Sequence, residues 1–345
     1  MNEVSLAGMT ARVRFCYAPR PRRIIIVGII AHAPVDVVAE DTDELLARFA
    51  LRKLECTTME LNRSFELRET LESLHSPAFL PGGCGANMAA GLRTLGSEVS
   101  VVAPFGNDAY GAFARRDLES RGVTIRGFDY DGPHSLIYTL ITEDRERTFA
   151  DYCHGVPYDL LEPARLLDDE HIVSIDGYLL LRQGVAEGMR AWLTEKRPTN
   201  QQIVFCPGDV SVLIDAKAIA DLAIERCQHL VMNRNEAHTL FPGLSDDEIA
   251  AALRARGISG AVTRGEEGAM LFNAHETLHV GKARLDRPIV NTNGAGDAFT
   301  AGYMHGVDRD LPLAETARIA TACAAQILVI EGARPPLVLT PELAD

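Results

Sequence analysis

The sequence predicts an α/β fold in which a mainly parallel central sheet has helices on both faces and carries a small β-rich lid. Short apolar, β-branched runs alternate with helical segments along most of the 345 residues, and this alternation is typical of parallel sheets. An irregular stretch at residues 36–81 and a hairpin pattern at residues 135–152 interrupt the alternation. These two interruptions predict a second, smaller unit.

The first strand is expected at Ile24 to Val27, a continuous β-branched run of the kind that is buried on both faces of a sheet. Further strands are expected at residues 56–61, 99–103, 171–174, 203–206, 229–232 and 260–263, and the hairpin strands at 135–142 and 147–152. Helices are expected at residues 41–50, 65–74, 84–95, 110–121 and 313–330. Ser245 and Glu248 form a capping box that opens another helix.

These elements predict three parts of the chain. Residues 1–22 are expected to be a flexible N-terminal extension, since they contain several arginines but no long apolar core of a signal peptide. The α/β core is expected at residues 23–35, 82–125 and 155–345. The small β-rich lid is expected at residues 36–81 and 126–154.

The charge and composition of the chain limit the classes of molecule that it is expected to bind. A formal net charge of −14 argues against nucleic acid or an anionic membrane, because both favour a basic surface. No stretch has the roughly 20 apolar residues of a membrane span. Seven scattered cysteines without a CxxC pair indicate reduced thiols rather than disulfides or a zinc site. We therefore expect a cytoplasmic protein whose partner is a small molecule.

The segment from Val290 to Phe299 carries the clearest chemistry. A short apolar strand is followed by a turn with Gly294 and Gly296, and a helix of small residues begins there. The first amides of a helix lack intrahelical partners and can hold a phosphate. Asp297, in the first helical turn, could simply interact with the helix dipole, or it could accept a proton from an alcohol beside a bound phosphate.

Two other phosphate-binding motifs are excluded. The sequence has no GxxxxGK[ST], so the chain is not a P-loop enzyme. Gly83 to Met88 has the first two glycines of GxGxxG but a methionine in place of the third. It does not directly follow the first strand either, so a dinucleotide-binding site is not supported.

Residues 290–299 resemble the C-terminal signature DTxGAGDxF of the ribokinase-like (PfkB) carbohydrate and nucleoside kinases. Four other segments resemble motifs of that family in the same order. They are Gly82 to Gly96, Phe105 to Gly111, Asn233 to Glu236 and Thr263 to Ala269. The resemblance extends from about residue 24 to 335 and implies a ribokinase-like fold and a kinase that uses ATP and Mg²⁺.

For the donor side, the resemblance implies roles residue by residue. Asp297 corresponds to the catalytic base, and the anion-hole amides correspond to Gly294, Ala295 and Gly296. Asn233 and Glu236 resemble the pair that organises Mg²⁺ through water, although Glu236 could also be an ordinary acid at a helix start. Thr263 and Gly265 resemble residues beside the ATP phosphates, or they form a plain strand-end turn.

For the acceptor side, Gly83 and Asn87 resemble residues that bind sugar hydroxyls. Asp36 resembles the ribose-binding aspartate of adenosine-kinase-like members, in a segment similar to theirs. His32 stands near the position where those members have asparagine, so it could bind a hydroxyl or merely fill the site. Asn87 could instead be bonded to the backbone.

Three features depart from the family pattern or remain open. Asn291 replaces an aspartate that commonly helps to bind a monovalent cation, so potassium activation is doubtful. Arg147, in the hairpin, could cover the transferred phosphate or form a surface salt bridge. Lid sheets in this family often pair, so a homodimer through the lid is one option.

The sequence thus predicts a kinase that transfers the γ-phosphate of MgATP to a hydroxyl group, expected to be primary, of a nucleoside or sugar. A kinase of a hexose, pentose or sugar phosphate is the alternative enzyme. A catalytically silent nucleoside- or sugar-binding regulatory protein on the same fold is the alternative from another class.

Overall fold

The structure, a computed structural model, describes residues 26–40, 42–152, 164–182, 184–195, 201–285 and 287–334. The strands are β1 (Ile26–Ile30), β2 (Val35–Ala39), β3 (Cys56–Thr58), β4 (Ala78–Pro81), β5 (Glu98–Val102), β6 (Pro104–Gly106), β7 (Thr124–Ile125), β8 (Phe128–Tyr130), β9 (Leu136–Ile141), β10 (Arg147–Tyr152), β11 (Ile172–Asp176), β12 (Gln202–Cys206), β13 (His229–Asn233), β14 (Ser259–Thr263), β15 (Ala269–Phe272) and β16 (Thr277–Val280).

The helices are α1 (Asp43–Arg48), α2 (Leu61–Leu74), α3 (Cys84–Thr94), α4 (Ala109–Ser120), α5 (Val185–Thr194), α6 (Val210–Asp215), α7 (Lys217–Arg226), α8 (Arg234–Leu240), α9 (Asp246–Ala255), α10 (Ala295–Asp308) and α11 (Leu313–Leu328). Short 3₁₀ turns lie at Gly177–Leu181 and Gly265–Glu267.

Within the described residues, nine strands form one large sheet in the order β16-β15-β14-β13-β12-β11-β1-β5-β7. The pairs from β14 to β7 are parallel, and β15 and β16 add an antiparallel edge. Because parallel strands end at the same edge, Asp176, Asn233 and Thr263 end their strands on one side of the sheet. That edge is where α/β sheets bind ligands.

A second sheet has the strand order β3-β10-β9-β2-β4. In β2, Val35 and Val37 are buried and Asp36 between them is partly exposed, as alternation across a strand requires. Helix α2 packs on the buried face, where Ser64 Oγ lies 2.8 Å from Tyr138 Oη. Asp36 therefore points to the opposite face.

Small residues bring three helices close together. A Cβ atom on Gly91 of α3 would lie 2.8 Å from Cβ of Ala301 in α10. One on Gly302 of α10 would lie 2.6 Å from Cα of Ala320 in α11. Larger side chains would push these helices apart. The close packing of α3 against α10 brings the start of α3 near the start of α10.

Most predicted elements are confirmed within a few residues, and the Ser245–Glu248 capping box is present. The expectation of irregular structure at residues 36–81 is wrong at residues 36–39, which form β2 together with Val35, and at residues 78–81, which form β4. Strand β2 is held by pairing with β9 and β4, and those partners lie far away in sequence. The antiparallel hairpin of β15 and β16 was not expected, and β8 pairs with β6 in a separate two-stranded sheet.

Some expectations concern residues outside the described part of the chain, namely the extension at 1–22, Ile24 and Ile25, and two cysteines, Cys16 and Cys153. The five cysteines that are described are free thiols. Among the helices described here, none combines the length and apolar character needed to cross a membrane. The homodimer through the lid stays a prediction.

Candidate active site

The turn before α10 requires glycine at its centre. Gly294 has a left-handed φ of 77°, and a Cβ atom there would lie 2.5 Å from the carbonyl oxygen of Ala333. Any other residue would be strained for both reasons. A Cβ atom on Gly296 would meet no described atom within 4 Å. Space therefore lies beside the amides that begin α10, where an anion can bind.

Asp297 lies in the first turn of α10 and is tied to α3. The side-chain amide of Asn87 donates a hydrogen bond from Nδ2 to Asp297 Oδ2 over 2.8 Å. The two residues are 210 positions apart in sequence. The structure thus brings together the base and the hydroxyl-binding asparagine that the resemblance assigned to separate motifs.

The position of Asn87 depends on how α3 begins. Gly83 precedes the helix with φ of 94°, and a Cβ atom on it would lie 2.2 Å from the carbonyl oxygen of His32. Only glycine allows this approach of two main-chain segments. The turn places Asn87, which is buried, one turn inside α3.

Asp36 projects from β2 toward the diglycine before α3. A Cβ atom on Gly82 would lie 2.3 Å from Asp36 Oδ1, so the carboxylate rests against the main chain there. Removal from water raises the pKa of Asp36 to about 7; Arg334 lowers it and Asp297 raises it. Asp36, Asn87 and Asp297 therefore share one region.

Arg334, which sequence reasoning missed, lies within this region. Arg334 is buried, with only 7% of its surface exposed. Its Nε donates to Asn87 Oδ1 over 3.1 Å, and its Nη2 donates to the carbonyl oxygen of Gly82 over 2.7 Å. Its Nη1 is paired with Asp117 of α4. A single arginine in a short segment after α11 gives no sequence signal for these contacts.

Asp176 is a second residue that sequence reasoning missed. It is buried at the carboxyl end of β11. Its carboxylate accepts hydrogen bonds from the main-chain amides of Gly85 at 3.1 Å, Tyr178 at 3.2 Å and His32 at 3.5 Å. A polar residue at the end of a buried strand is the signal that could have identified it.

Burial changes the protonation of this region. Removal from water raises the pKa of Asp297 to about 6, the Asn87 hydrogen bond lowers it, and the nearby Asp176 raises it. Removal from water also raises the pKa of Asp176. The same cause, together with Arg182, holds the pKa of His32 well below its usual value. His32 is therefore a neutral imidazole near pH 7.

Asn233 and Glu236 form a capping box at the start of α8. Glu236 Oε2 accepts from the main-chain amide of Asn233 at 2.8 Å, and Oε1 accepts from Asn233 Nδ2 at 2.7 Å. Removal from water raises the pKa of Glu236 to about 7, the bond from Asn233 lowers it, and the Asp209 charge raises it. Glu236 is thus an acid at a helix start, as one of the two interpretations of the sequence predicted.

Thr263 and Gly265 lie at the end of β14, next to β13. Thr263 pairs with Asn233 in the register of the two strands. Gly265 has φ of 58°, and a Cβ atom on it would meet no described atom within 4 Å. The predicted donor-side pair Thr263 and Gly265 therefore lies beside the pair Asn233 and Glu236, at the same edge of the sheet.

Asn291 links the turn before α10 to the segment that follows α11. Its Nδ2 donates to the carbonyl oxygens of Ile330 at 2.6 Å and Gly332 at 3.4 Å. Its Oδ1 accepts from the main-chain amide of Asn293 at 2.7 Å. A neutral amide thus satisfies main-chain oxygens on one side and shapes the glycine turn on the other.

Arg147 reaches the same turn from the second sheet. Its Nη1 donates to Asn293 Oδ1 over 2.9 Å. Arg147 begins β10, so the second sheet touches the loop that leads into the glycine turn before α10. Among the residues that the structure describes, Arg147 contacts this side-chain amide and no carboxylate.

Comparison with known proteins shows which family the chain belongs to. A family model described as pfkB family carbohydrate kinase matches residues 54–339, well over half of the chain. The chain belongs to the pfkB family of carbohydrate kinases. The resemblance inferred from the motifs is confirmed. PfkB kinases use ATP, generally with Mg²⁺, and the chain is accordingly a phosphotransferase of the sugar and nucleoside kinase class.

Individual pfkB relatives differ in acceptor. Aminoimidazole riboside kinase of Salmonella typhimurium is 27% identical over 290 residues, covering 76% of this chain and 86% of the relative. ATP-dependent ribose-1-phosphate kinase of Halopiger xanaduensis is 28% identical over 273 residues, covering 76% and 85%. The solved structure of adenosine kinase from Sinorhizobium meliloti has a TM-score of 0.75 at 23% identity, covering 92% of this chain and 97% of that one. The predicted ribokinase-like fold is confirmed.

Proposed function

We propose that this pfkB kinase transfers the γ-phosphoryl group of MgATP to a primary hydroxyl group of a nucleoside or sugar, with Asp297 as general base. The observation that carries the proposal is the 2.8 Å hydrogen bond between Asn87 Nδ2 and Asp297 Oδ2. It holds a carboxylate beside helix amides that suit a phosphate and beside a polar side chain that suits a hydroxyl group.

Asp297 would accept the proton of the acceptor hydroxyl while the new O–P bond forms and the bond to ADP breaks. The amides of Gly294, Ala295 and Gly296 would stabilise the charge on the transferring group. A positioned general base typically contributes about 10²- to 10⁴-fold to the rate. The pKa of about 6 leaves most of Asp297 ionised at pH 7 and able to act.

The donor-side residues fit MgATP. Open space lies beside Gly265 and Gly296, so phosphate oxygens could approach the main chain at both. Glu236 and Asn233 engage each other through both carboxylate oxygens, so they would act on Mg²⁺ through water. MgATP would supply the phosphoryl group and the divalent charge, and Arg147 would close the lid side of the phosphate.

The acceptor side favours a neutral polyol over a phosphorylated sugar. Asp36, Asp176 and Asp297 lie close enough for Asp297 to raise the pKa of Asp36 and for Asp176 to raise that of Asp297. A phosphate group on the acceptor would add like charge to this set, which is costly in a low-dielectric site. The two oxygens of Asp36 can instead accept from two vicinal hydroxyls.

The arginines near these carboxylates are already paired. Arg182 Nη1 lies 2.7 Å from Asp151 Oδ2, and Arg334 is paired with Asp117. A phosphate on the acceptor would have to compete with a carboxylate for each guanidinium. This pairing supports an uncharged acceptor, and the riboside kinase relative supports a ribose-containing one. Because one relative is a ribose-1-phosphate kinase, sugar phosphates are also included among the acceptors to be tested.

The test is ADP release with a panel of ribosides, free sugars and their phosphates, with melting-temperature shifts recorded for each compound. We expect turnover with at least one neutral riboside or sugar. Turnover confined to phosphorylated acceptors would overturn the acceptor class. Ligand-dependent stabilisation with no turnover on any compound would favour a binding protein over an enzyme.

A further inference from the structure

Arg334 is clamped by three hydrogen-bond acceptors on three different segments. They are the carboxylate of Asp117 in α4, the carbonyl oxygen of Gly82, and Oδ1 of Asn87 in α3. The guanidinium side chain is 3% exposed, so water does not compete freely for these contacts. With all three directions occupied, the planar group cannot rotate without losing a charge-assisted bond.

The clamp determines which way the Asn87 amide faces. A guanidinium can only donate hydrogen bonds, and an ionised carboxylate can only accept them. Asn87 lies between Arg334 and Asp297, and its amide has one accepting and one donating end. Oδ1 must therefore face Arg334 at 3.1 Å and Nδ2 must face Asp297 at 2.8 Å. The reverse orientation would place an oxygen against the carboxylate and an NH₂ group against the guanidinium.

The segment that carries Arg334 also contacts the anion hole. Its neighbour Ala333 is the residue that a Cβ atom on Gly294 would meet, and Asn291 donates to the carbonyl oxygens of Ile330 and Gly332. One short segment thus supports the glycine turn from one side and the Asn87 amide from the other. The position of Arg334 is set by the same contacts that shape the phosphate-binding turn.

We infer that Arg334 is a positioning residue for phosphoryl transfer, because it fixes the Asn87 amide and, through it, the Asp297 carboxylate. This inference rests on the proposed role of Asp297 as base. Asn87 holds Oδ2 of that carboxylate, and the Cys84 thiol also hydrogen-bonds to the carboxylate. The ordinary alternative is an ion pair with Asp117 that only stabilises the fold.

Arg334→Lys separates these two roles, since lysine keeps the positive charge for Asp117 but lacks the fork of donors that reaches Asn87 as well. We expect kcat to fall roughly tenfold, the effect of losing one orienting hydrogen bond, with KM for ATP nearly unchanged. Arg121→Met is the matched control, because Arg121, which directly follows α4, also pairs with Asp117 over 3.2 Å. It should leave kcat close to that of the wild type.

The decisive comparison repeats Arg334→Lys in an Asn87→Ala background. If Arg334 acts through Asn87, the loss of kcat should shrink to less than about twofold there. An equal loss in both backgrounds would overturn the inference. Should Arg334→Lys fold poorly, Asp117→Asn provides the same test, because it removes the charge that anchors the guanidinium.

Crystal structures of wild type and Arg334→Lys give a readout that does not depend on turnover. The inference predicts that the Asn87–Asp297 hydrogen bond is present in the wild type and lost or reversed in the variant. An unchanged bond in the variant would contradict it. Absence of wild-type turnover with every acceptor would instead count against the proposed function, so the two failures can be told apart.

Discussion

The proposed phosphate-donor end and the proposed acceptor end of the site differ in the sequence separation of the residues that contact one another. The donor end comprises Asn233, Glu236, Thr263, Gly265 and the turn at residues 294–296. Its main side-chain pair, Asn233 with Glu236, is three residues apart, and its other groups are mostly main-chain amides.

The acceptor end comprises His32, Asp36, Asn87, Asp176 and Arg334. Its contacts join residues 210 and 247 positions apart, and nearly all of them involve side chains. The donor end is therefore set largely by local turn chemistry, with long-range support from Arg147 and from the segment after α11, and it suits a ligand common to the whole family. The acceptor end is set by tertiary packing, so a few substitutions can change it.

Gly294→Ala should have a large effect at the donor end, because a side chain there collides with Ala333 and displaces the turn. We expect kcat to fall by about 10²- to 10³-fold, as for the loss of an oxyanion-hole donor. Gly96→Ala is the control, with φ of 83° and no described atom within 4 Å of the added Cβ. Steady-state kinetics of both variants check this, and a Gly294→Ala enzyme within threefold of wild type would refute it.

Asp36→Asn should affect the acceptor end alone. Losing charge-assisted bonds to two hydroxyls should raise KM for the acceptor by about 10- to 100-fold and leave KM for ATP unchanged. Glu40→Gln, an exposed carboxylate just after β2 that pairs with Arg145, is the matched control. Equal changes in both KM values would show that the two ends are not separable in this way.

Activity should decline as pH falls through about 6, where Asp297 takes up a proton and can no longer act as base. Activity is lost on the acid side because Asp297 is ionised, and can accept a proton, only at pH values above its pKa. The titratable or charged groups that influence Asp297 or are influenced by it are Asp36, Cys84, Asp176, Tyr178, Cys206 and Arg334. The profile is measured as kcat at saturating acceptor, so that protonation of Asp36, which affects acceptor binding, does not contribute. An acid limb near pH 4 would argue against this assignment.

Potassium should have the smallest effect. In the wild type, Asn291 donates to the carbonyl oxygens of Ile330 and Gly332, so these oxygens need no cation. Asn291→Asp would replace the donor with a carboxylate and create an oxygen-rich site suited to a monovalent cation. We expect a few-fold activation of the variant by K⁺ and none of the wild type, measured at constant ionic strength. Strong potassium activation of the wild type would contradict the expectation.

The sequence predicted the features that depend on local contacts better than those that depend on residues distant along the chain. The alternation of strands and helices is a local pattern, and it predicted the large sheet. The donor-side residues were predicted from the resemblance of short motifs to those of the pfkB family. Strand β2 was missed because its partners β4 and β9 are distant in sequence and its pattern, with Asp36 in the middle, is short. Local propensity cannot report such pairing.

Within the site, Asp297 and Asn87 could be identified from their motifs, but their hydrogen bond could not. Arg334 gave no local signal, since its importance arises from three acceptors on separate segments. The sequence contains only a weak signal for Asp176, namely its position as the last residue of a buried strand. Side chains that gain their role from burial and charge balance become visible only when the chain is folded.

The most direct test of the account is the rate of phosphoryl transfer in a single turnover of Asp297→Asn, measured by rapid quench with the best acceptor from the panel. The substitution keeps the size of the side chain and removes its ability to accept a proton. We predict a fall of about 10²- to 10⁴-fold in that rate, with ATP and acceptor still bound. A rate near that of the wild type would contradict Asp297 as the base that joins the two ends of the site.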